Sequence, residues 1–343
     1  MISEAVTGMA CPVCGGKLSL EQTRRRDERV WKGEIVCSEN GHVFPVVTGI
    51  PVLLPPGMLA DWTHPFTRIL MGDFRASVDQ KRRMIDPLEE YARVHGTGKM
   101  KEVFAAYLKG EHRPPEKHWE SPVDGAMIRE GAHRKRKRHV DRHLRLIDEQ
   151  WGRSKTLREE VGAVAQLKPA RLLDVCCGGG FFATSLIREY NEYGQLFALD
   201  IDYVCTRLLE STFDRYGVSD RCIPIVADVR ALPFPTGYFD LVNSRFGEVH
   251  VTGYSAGLRE ILRVLKPGGH FVCTNRISRK IPHKAVTMDE VVQISRHADL
   301  YLDKEQYLQT LAKTGFETET VEDIEEAFLA VSTKPNTQRS TQA

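Results

Sequence analysis

No stretch of the 343 residues approaches the roughly 20 consecutive apolar residues that a membrane-spanning helix needs. The longest apolar runs, such as Ile50 to Leu54, are interrupted by proline, so no membrane helix is expected. Met1 to Ala10 contains Glu4 and has neither a basic start nor an apolar centre, which excludes a secretory signal there. Excess charge is missing too. The 48 Lys and Arg stand against 46 Asp and Glu, a net of +2, which taken as an average speaks against a strongly basic nucleic-acid binder. No internal repeat is visible. What remains is an ordinary globular composition, 27% charged and 41% hydrophobic, in a chain long enough for about two domains. A cytoplasmic protein with reduced thiols is the expectation, so the eight cysteines need a reading other than disulfides.

Three cysteines fall in the first forty residues. Cys11-Pro12-Val13-Cys14-Gly15-Gly16 is a tight turn that aims two thiolates at one point, and Cys37 and His42 follow as C-x22-C-x4-H. Zinc takes four tetrahedral sulfur or nitrogen ligands, so Cys11, Cys14, Cys37 and His42 make a candidate structural Zn2+ site with no open position. A redox pair is the competing reading, and no thioredoxin-like βαβ pattern surrounds the turn. Apolar residues then alternate with turn formers from Val43 to Pro55. This region resembles the small zinc-ribbon proteins that activate methyltransferases. Its Cys-Cys-Cys-His order is also similar to the ribbon of ribosomal-RNA guanine methyltransferases, which implies a role in RNA recognition.

Residues 57–154 form a charged segment with weak helical periodicity at Val78, Met84, Ile85, Leu88 and Tyr91, then at Val103, Phe104, Tyr107 and Leu108. Arg134, Lys135, Arg136, Lys137 and Arg138 are five consecutive cations. From Arg129 to Arg145, eight Lys and Arg face only Glu130 and Asp141, a local balance of +6 that leaves −4 for the rest of the chain. A phosphate backbone is attracted to such a surface. The alternative is a solvated helix face, because Val140, Leu144 and Ile147 give the segment an apolar side. Glu317, Glu319, Glu322, Asp323, Glu325 and Glu326 form an acidic counterpart, read as surface.

From Ala170 short apolar runs alternate with helical patterns. Strands are expected at Arg171–Cys176, Leu196–Leu199, Cys222–Ala227, Phe239–Asn243 and His270–Thr274, with helices between them and a turn at Lys266 to Gly269. A helix at Lys304–Thr314 and strands at Thr318–Val321 and Ala327–Ser332 complete the pattern. It describes an α/β fold, a Rossmann-like doubly wound sheet whose ligand sits beyond the strands' carboxyl ends. The first strand runs into Asp174-Val175-Cys176-Cys177-Gly178-Gly179-Gly180. Glycines there let a ligand lie against bare main chain, next to a helix N-terminus. Gly178-x-Gly180-x-x-Ala183 also fits the dinucleotide fingerprint of an NAD(P)-dependent oxidoreductase. A carboxylate at Asp174, however, suits an ammonium or sulfonium better than a pyrophosphate. Asp200 and Asp228 close the next two strands, placed to accept from ribose hydroxyls and from an adenine amino group.

With Leu172 to Gly180, Ala198-Leu199-Asp200-Ile201-Asp202, Ala227 to Phe234, Phe239 to Ser244 and Arg259 to Gly269 in this order, the chain resembles class I S-adenosylmethionine-dependent methyltransferases. The ubiquinone/menaquinone-type branch is the nearest. The resemblance implies S-adenosylmethionine as cofactor, held by Asp174, Cys176, Gly178, Gly180, Asp200, Ile201, Asp228, Val229 and Asn243. Cys176 stands where the family usually has its first glycine. Beyond the fourth strand lies Asn243-Ser244-Arg245-Phe246-Gly247-Glu248-Val249-His250, without the Asn/Asp-Pro-Pro-aromatic motif of amine-directed nucleobase enzymes. Glu248 and His250 are candidates to take a proton from the acceptor or to hold it. The expected organisation is a zinc ribbon at 1–56, a helical segment at 57–154, a methyltransferase domain at 155–335 and a disordered tail at 336–343. The expected reaction is in-line methyl transfer, with a slight lean to an RNA base bound through Arg134 to Arg138 and a small-molecule acceptor as the alternative.

Overall fold

The computed structural model describes residues 2–26, 29–47, 49–55, 133–190, 193–201, 203–250, 254–277 and 304–336. The helices expected near residues 78–91 and 103–108 lie outside these. After the short helix α1 (Ile2–Thr7), the apolar alternation of the N-terminal region folds into an antiparallel meander. It comprises β1 (Leu18–Arg26), β2 (Arg29–Cys37), β3 (Val43–Val47) and β4 (Ile50–Leu53). Two helices follow at α2 (His133–Arg153) and α3 (Lys155–Leu167). Ser154 caps α3 by accepting from the Leu157 N–H at 3.2 Å, one of the four donors that a helix start leaves unmet.

The α/β unit alternates β5 (Arg171–Val175), α4 (Phe181–Glu189), β6 (Gln195–Asp200), α5 (Tyr203–Arg215), β7 (Cys222–Ala227) and β8 (Phe239–Arg245). A 3-10 turn at Glu248–His250 leads to α6 (Tyr254–Val264), β9 (Leu265–Arg276), α7 (Lys304–Thr314), β10 (Glu317–Ile324) and β11 (Ala327–Thr333). The central strands pair in parallel in the order β7-β6-β5-β8-β9, and β11 and β10 add antiparallel strands beyond β9. Parallel strands covered by helices on both faces are near-continuously apolar, as the fully buried Cys222–Ala227 strand is. The doubly wound expectation holds.

One expectation does not. Lys266 to Gly269 is part of β9 rather than a turn before it. Gly268 donates to the Lys334 carbonyl at 2.8 Å, and Lys334 donates back to Gly269 at 2.9 Å. A register shift opposite Phe239 and Leu241 absorbs the irregular backbone.

The sheet does not stop at β7. The last ribbon strand runs parallel to it, Val52 beside Val226 and Leu53 beside Ala227, so the eleven strands among the described residues form one sheet. Pairing begins downstream of Pro224, which has no N–H to offer a ladder. Ile50, Val52 and Leu54 are buried together with Val226. Ala10 also donates to the Pro233 carbonyl at 2.9 Å, a second tie between ribbon and α/β unit. The acidic segment lies on the outermost strand β10, where Glu317 to Asp323 are exposed, a charged edge that discourages further strand pairing. No described helix is long and apolar enough to cross a membrane.

Strand periodicity sorts the core into two faces. Leu172, Leu196, Ala198, Leu241 and Val272 point toward α3, α4 and α5. Leu173, Val175, Phe197, Val242, Phe271 and Cys273 point toward α6 and α7. The same alternation assigns every polar residue near the strand ends to one face or the other.

Candidate cofactor and metal sites

The loop after β5 carries the turn that the glycines foretell. Gly178 has φ of 51° and open space where a side chain would project, so its main chain is bare to a ligand. Gly180, at φ 78°, precedes α4 as its N-cap. Cys176 also adopts a left-handed backbone, φ 52°, which accounts for glycine being usual there. Its Cβ lies where a Cβ on Gly247 would come within 2.3 Å. The missing glycine at 176 is thus matched by one at 247, a pairing that sequence reading did not find. Burial, with Asp200 adding its charge, pushes the thiols of Cys176 and Cys177 well up, so both stay protonated.

Asp174 sits at the end of β5 and is buried. Its Oδ1 accepts from Asn243 Nδ2 at 3.1 Å, the neighbour set opposite by the β5–β8 register, while its Oδ2 is buried without a partner. Burial raises its carboxyl well above the usual range, opposed by the Asn243 hydrogen bond and reinforced by the charges of Glu160 and Asp200. Asp200, half-buried at the end of β6, accepts from the Gly178 N–H at 2.8 Å. The ribose candidate is therefore tied to the glycine loop itself.

Asp228 follows β7 and is buried, but its carboxylate is covered. Arg230 grips it through Nε at 3.0 and 3.1 Å and Nη2 at 2.5 Å, and the Arg230 N–H adds a bond at 2.8 Å. In this arrangement Arg230 occupies both oxygens of Asp228. Val229 is buried against Gly257 of α6, which turns its side chain into the core. Ile201 packs against the apolar cluster of the last ribbon strand.

Two residues outside the motifs join the site. Glu160, on the buried stripe of α3 with Leu157, Val161 and Val164, accepts from Arg245 Nη1 at 2.5 Å and from Thr274 Oγ1 at 2.9 Å. His143 of α2 is buried against the glycine loop, Nε2 to the Gly179 carbonyl at 2.6 Å, its ring edge-on to Phe181. Burial lowers its pKa, so the neutral ring donates through Nε2–H. The basic segment is accordingly helical, with Val140, His143 and Ile147 on its buried side. The side chains of Arg134 to Arg138 lie outside the described residues.

Glu248 is fully buried among other groups. Its Oε1 accepts from Tyr307 Oη at 2.5 Å and Asn275 Nδ2 at 2.7 Å, and its Oε2 from Ser244 Oγ at 2.5 Å. The structure thus places this residue on the α6/α7 face with both carboxylate oxygens already filled by the protein's own donors. The 3-10 turn includes His250, whose side chain is not among those described.

The four N-terminal ligand candidates do converge. The ligand atoms of Cys11, Cys14, Cys37 and His42 all lie within 4.8 Å of one another. Cys14 and Cys37 sulfurs are 3.5 Å apart, and His42 Nδ1 is 3.5 Å from Cys11 and 3.7 Å from Cys14. Bonds of about 2.3 Å to a tetrahedral zinc put sulfurs roughly 3.8 Å apart. Paired turns aim them: Gly15 donates to the Cys11 carbonyl and Gly41 to the Cys37 carbonyl. Gly16 leaves room for Cys37, whose Sγ a Cβ there would meet at 2.9 Å.

Comparison with known proteins matches two parts of the chain. The profile of the ubiE/COQ5 methyltransferase family matches residues 147–330, and that of Trm112p-like proteins matches residues 9–49. A demethylmenaquinone methyltransferase of Lactiplantibacillus plantarum is 35% identical over 104 residues, 30% of this chain and 44% of that protein. A ubiquinone/menaquinone biosynthesis C-methyltransferase UbiE of Edwardsiella ictaluri is 26% identical over 183 residues, 47% of this chain and 72% of that one. The chain therefore spans less than half of the first relative's length. The structure of a complex of the Haloferax volcanii Trm112 methyltransferase activator with a methyltransferase is similar at 17% identity and a TM-score of 0.46, covering 60% of this chain and 97% of that one.

Proposed function

Because the chain belongs to the ubiE/COQ5 methyltransferase family, we propose that it transfers a methyl group from S-adenosylmethionine to a small organic acceptor. The observation that carries this reading is the buried, partnerless Oδ2 of Asp174 beside a glycine loop with open space at Gly178. A buried carboxylate oxygen without a donor is costly unless a ligand meets it, and a cationic amino-acid group does so. When bound, S-adenosylmethionine supplies an electrophilic methyl group on a positive sulfur. Asp200 would accept from the ribose, and Asp228, released by Arg230, from the adenine. Asp174 and Asn243 would hold the amino-acid end. Cys176, Gly178 and Gly180 shape the loop, with Ile201 and Val229 as its apolar flanks.

Methyl transfer in line falls in barrier mainly through positioning, so no fixed base is needed. Glu248, clamped by three donors, acts in this reading as a positioning residue for the β8 end. The names of the two relatives, one for demethylmenaquinone and one for ubiquinone/menaquinone biosynthesis, support a quinone-type small molecule as acceptor. An RNA base is the second reading. It rests on helix α2, which carries Arg134 to Arg138 and touches the glycine loop through His143. The Cys11, Cys14, Cys37 and His42 cluster fits a structural zinc, closed to substrate and stabilising the ribbon that extends the sheet. One zinc per purified chain is expected by metal analysis, and its absence would remove this part.

The test is calorimetry and transfer in parallel. Asp200→Ala should abolish cofactor binding while the fold survives; full-strength binding by that variant sinks the assignment. Labelled methyl transfer is then followed into a quinone-precursor extract and into total RNA. Label in RNA alone, with RNA affinity that falls steeply with salt, would favour the second reading over the first.

A further inference from the structure

Three buried acceptor atoms at the end of β5 and β8 have no hydrogen-bond partner: Asp174 Oδ2, Asn243 Oδ1 and Glu160 Oε1. They belong to linked residues on one face of the sheet. Asn243 joins Asp174 directly, the charge of Glu160 raises the Asp174 carboxyl, and Arg245 is two residues beyond Asn243 on the same side of β8. Thr274, opposite Arg245 in β9, donates to Glu160 from that face. Glu160 comes from α3, where it is a fully buried charge in an otherwise apolar stripe. Glutamate is rarely so placed unless paired, and here only one of its oxygens is paired.

The charges are incomplete as well. Asp174 and Glu160 face one guanidinium, Arg245, and Asp200 adds its negative charge to Asp174, so the group is short of positive charge. A primary ammonium brings one charge and three N–H donors, which matches three open acceptors. We propose that Glu160 is a second carboxylate in the seat for the ammonium of the cofactor's amino-acid end, acting with Asp174 and Asn243. This assignment rests on the cofactor reading above. Helix α3 would thereby contribute directly to ligand binding, and Arg245 and Thr274 would orient Glu160 for it.

Calorimetry with two probes separates the possibilities. S-adenosylhomocysteine keeps the amino-acid end; 5′-methylthioadenosine keeps adenine, ribose and sulfur but lacks it. Glu160→Gln should weaken S-adenosylhomocysteine about tenfold or more, as loss of a bond to a charged group does, and leave 5′-methylthioadenosine within about twofold. Equal weakening of both probes, or unchanged affinity for the first, overturns the assignment. Should Glu160→Gln fail to unfold cooperatively, Glu160→Asp, which keeps the charge beside Arg245, carries the same comparison and must show the same selective loss. A native chain that binds neither probe refutes the cofactor reading itself. A native chain that binds both equally leaves that reading intact and removes the ammonium seat.

Discussion

On the α3 face of the sheet, Asp174 and Glu160 each keep one carboxylate oxygen without a donor. On the α6/α7 face Glu248 has both oxygens filled by Ser244, Asn275 and Tyr307. The atom left unmet there, Asn275 Oδ1, is a neutral amide oxygen and cheaper to desolvate than a carboxylate. Burial, polarity and position at the strand ends are alike. What differs is completion. A carboxylate satisfied by the protein's own donors holds the fold together, and one left unfinished marks where a ligand completes it. Stability should therefore respond on one face and ligand affinity on the other.

The largest effect is expected from Glu248→Ala. It strands three buried donors and opens a cavity, so unfolding free energy should drop by roughly 3–5 kcal/mol, read from urea midpoints. An unchanged midpoint would erase the distinction, because the closed face would then be dispensable to the fold.

Asp174→Asn should behave in the opposite way. Affinity for S-adenosylhomocysteine is expected to fall about a hundredfold, roughly 2.7 kcal/mol, with no loss of stability in the ligand-free chain. The sign follows from the raised carboxyl of Asp174. A group raised in the folded state contributes stability that is full below its unfolded value and is lost as pH rises through the folded one. The native chain should thus lose ground to Asp174→Asn as pH rises above the ordinary carboxylate range, measured by urea unfolding without ligand. A variant that is strongly destabilised at every pH would place Asp174 with Glu248 among structural carboxylates.

Much of this contrast was legible in the residues, but not all of it for the same reason. Asp174, Asp200 and Asp228 end successive apolar runs, so a parallel sheet had to bring them to one edge. Cys11, Cys14, Cys37 and His42 announced themselves by spacing. The enclosure of Glu248 is not legible from its distance along the chain from Asn243; it follows from strand parity, which sets Ser244 on the other face. Ser244, its partner, points to the opposite face from Asn243 and Arg245. Glu160 escaped because a single carboxylate in a helix has no motif, although its place between Leu157, Val161 and Val164 was a visible anomaly. The parallel pairing of Val52 with Val226 joins segments 174 residues apart in number, and no local pattern encodes such a register. Arg230 over Asp228 is likewise a side-chain choice that strand periodicity does not reach.

The smallest effect is the most discriminating. Tyr307→Phe removes one O–H donor from Glu248, together with that hydroxyl's contact to the Cys273 thiol, while the ring stays packed near Tyr254 and Phe328. Ser244 and Asn275 still hold the carboxylate, so the cost should be about 1–2 kcal/mol, with S-adenosylhomocysteine affinity unchanged in calorimetry. The two faces share strand β8, in which Ser244 lies between Asn243 and Arg245. If loosening Glu248 let that strand end shift, the Asn243–Asp174 bond would shift with it and affinity would fall. Retained affinity with reduced stability shows two clusters that are adjacent in structure and independent in energy. A loss of affinity larger than the loss of stability would mean instead that the closed face is the support on which the open one is built.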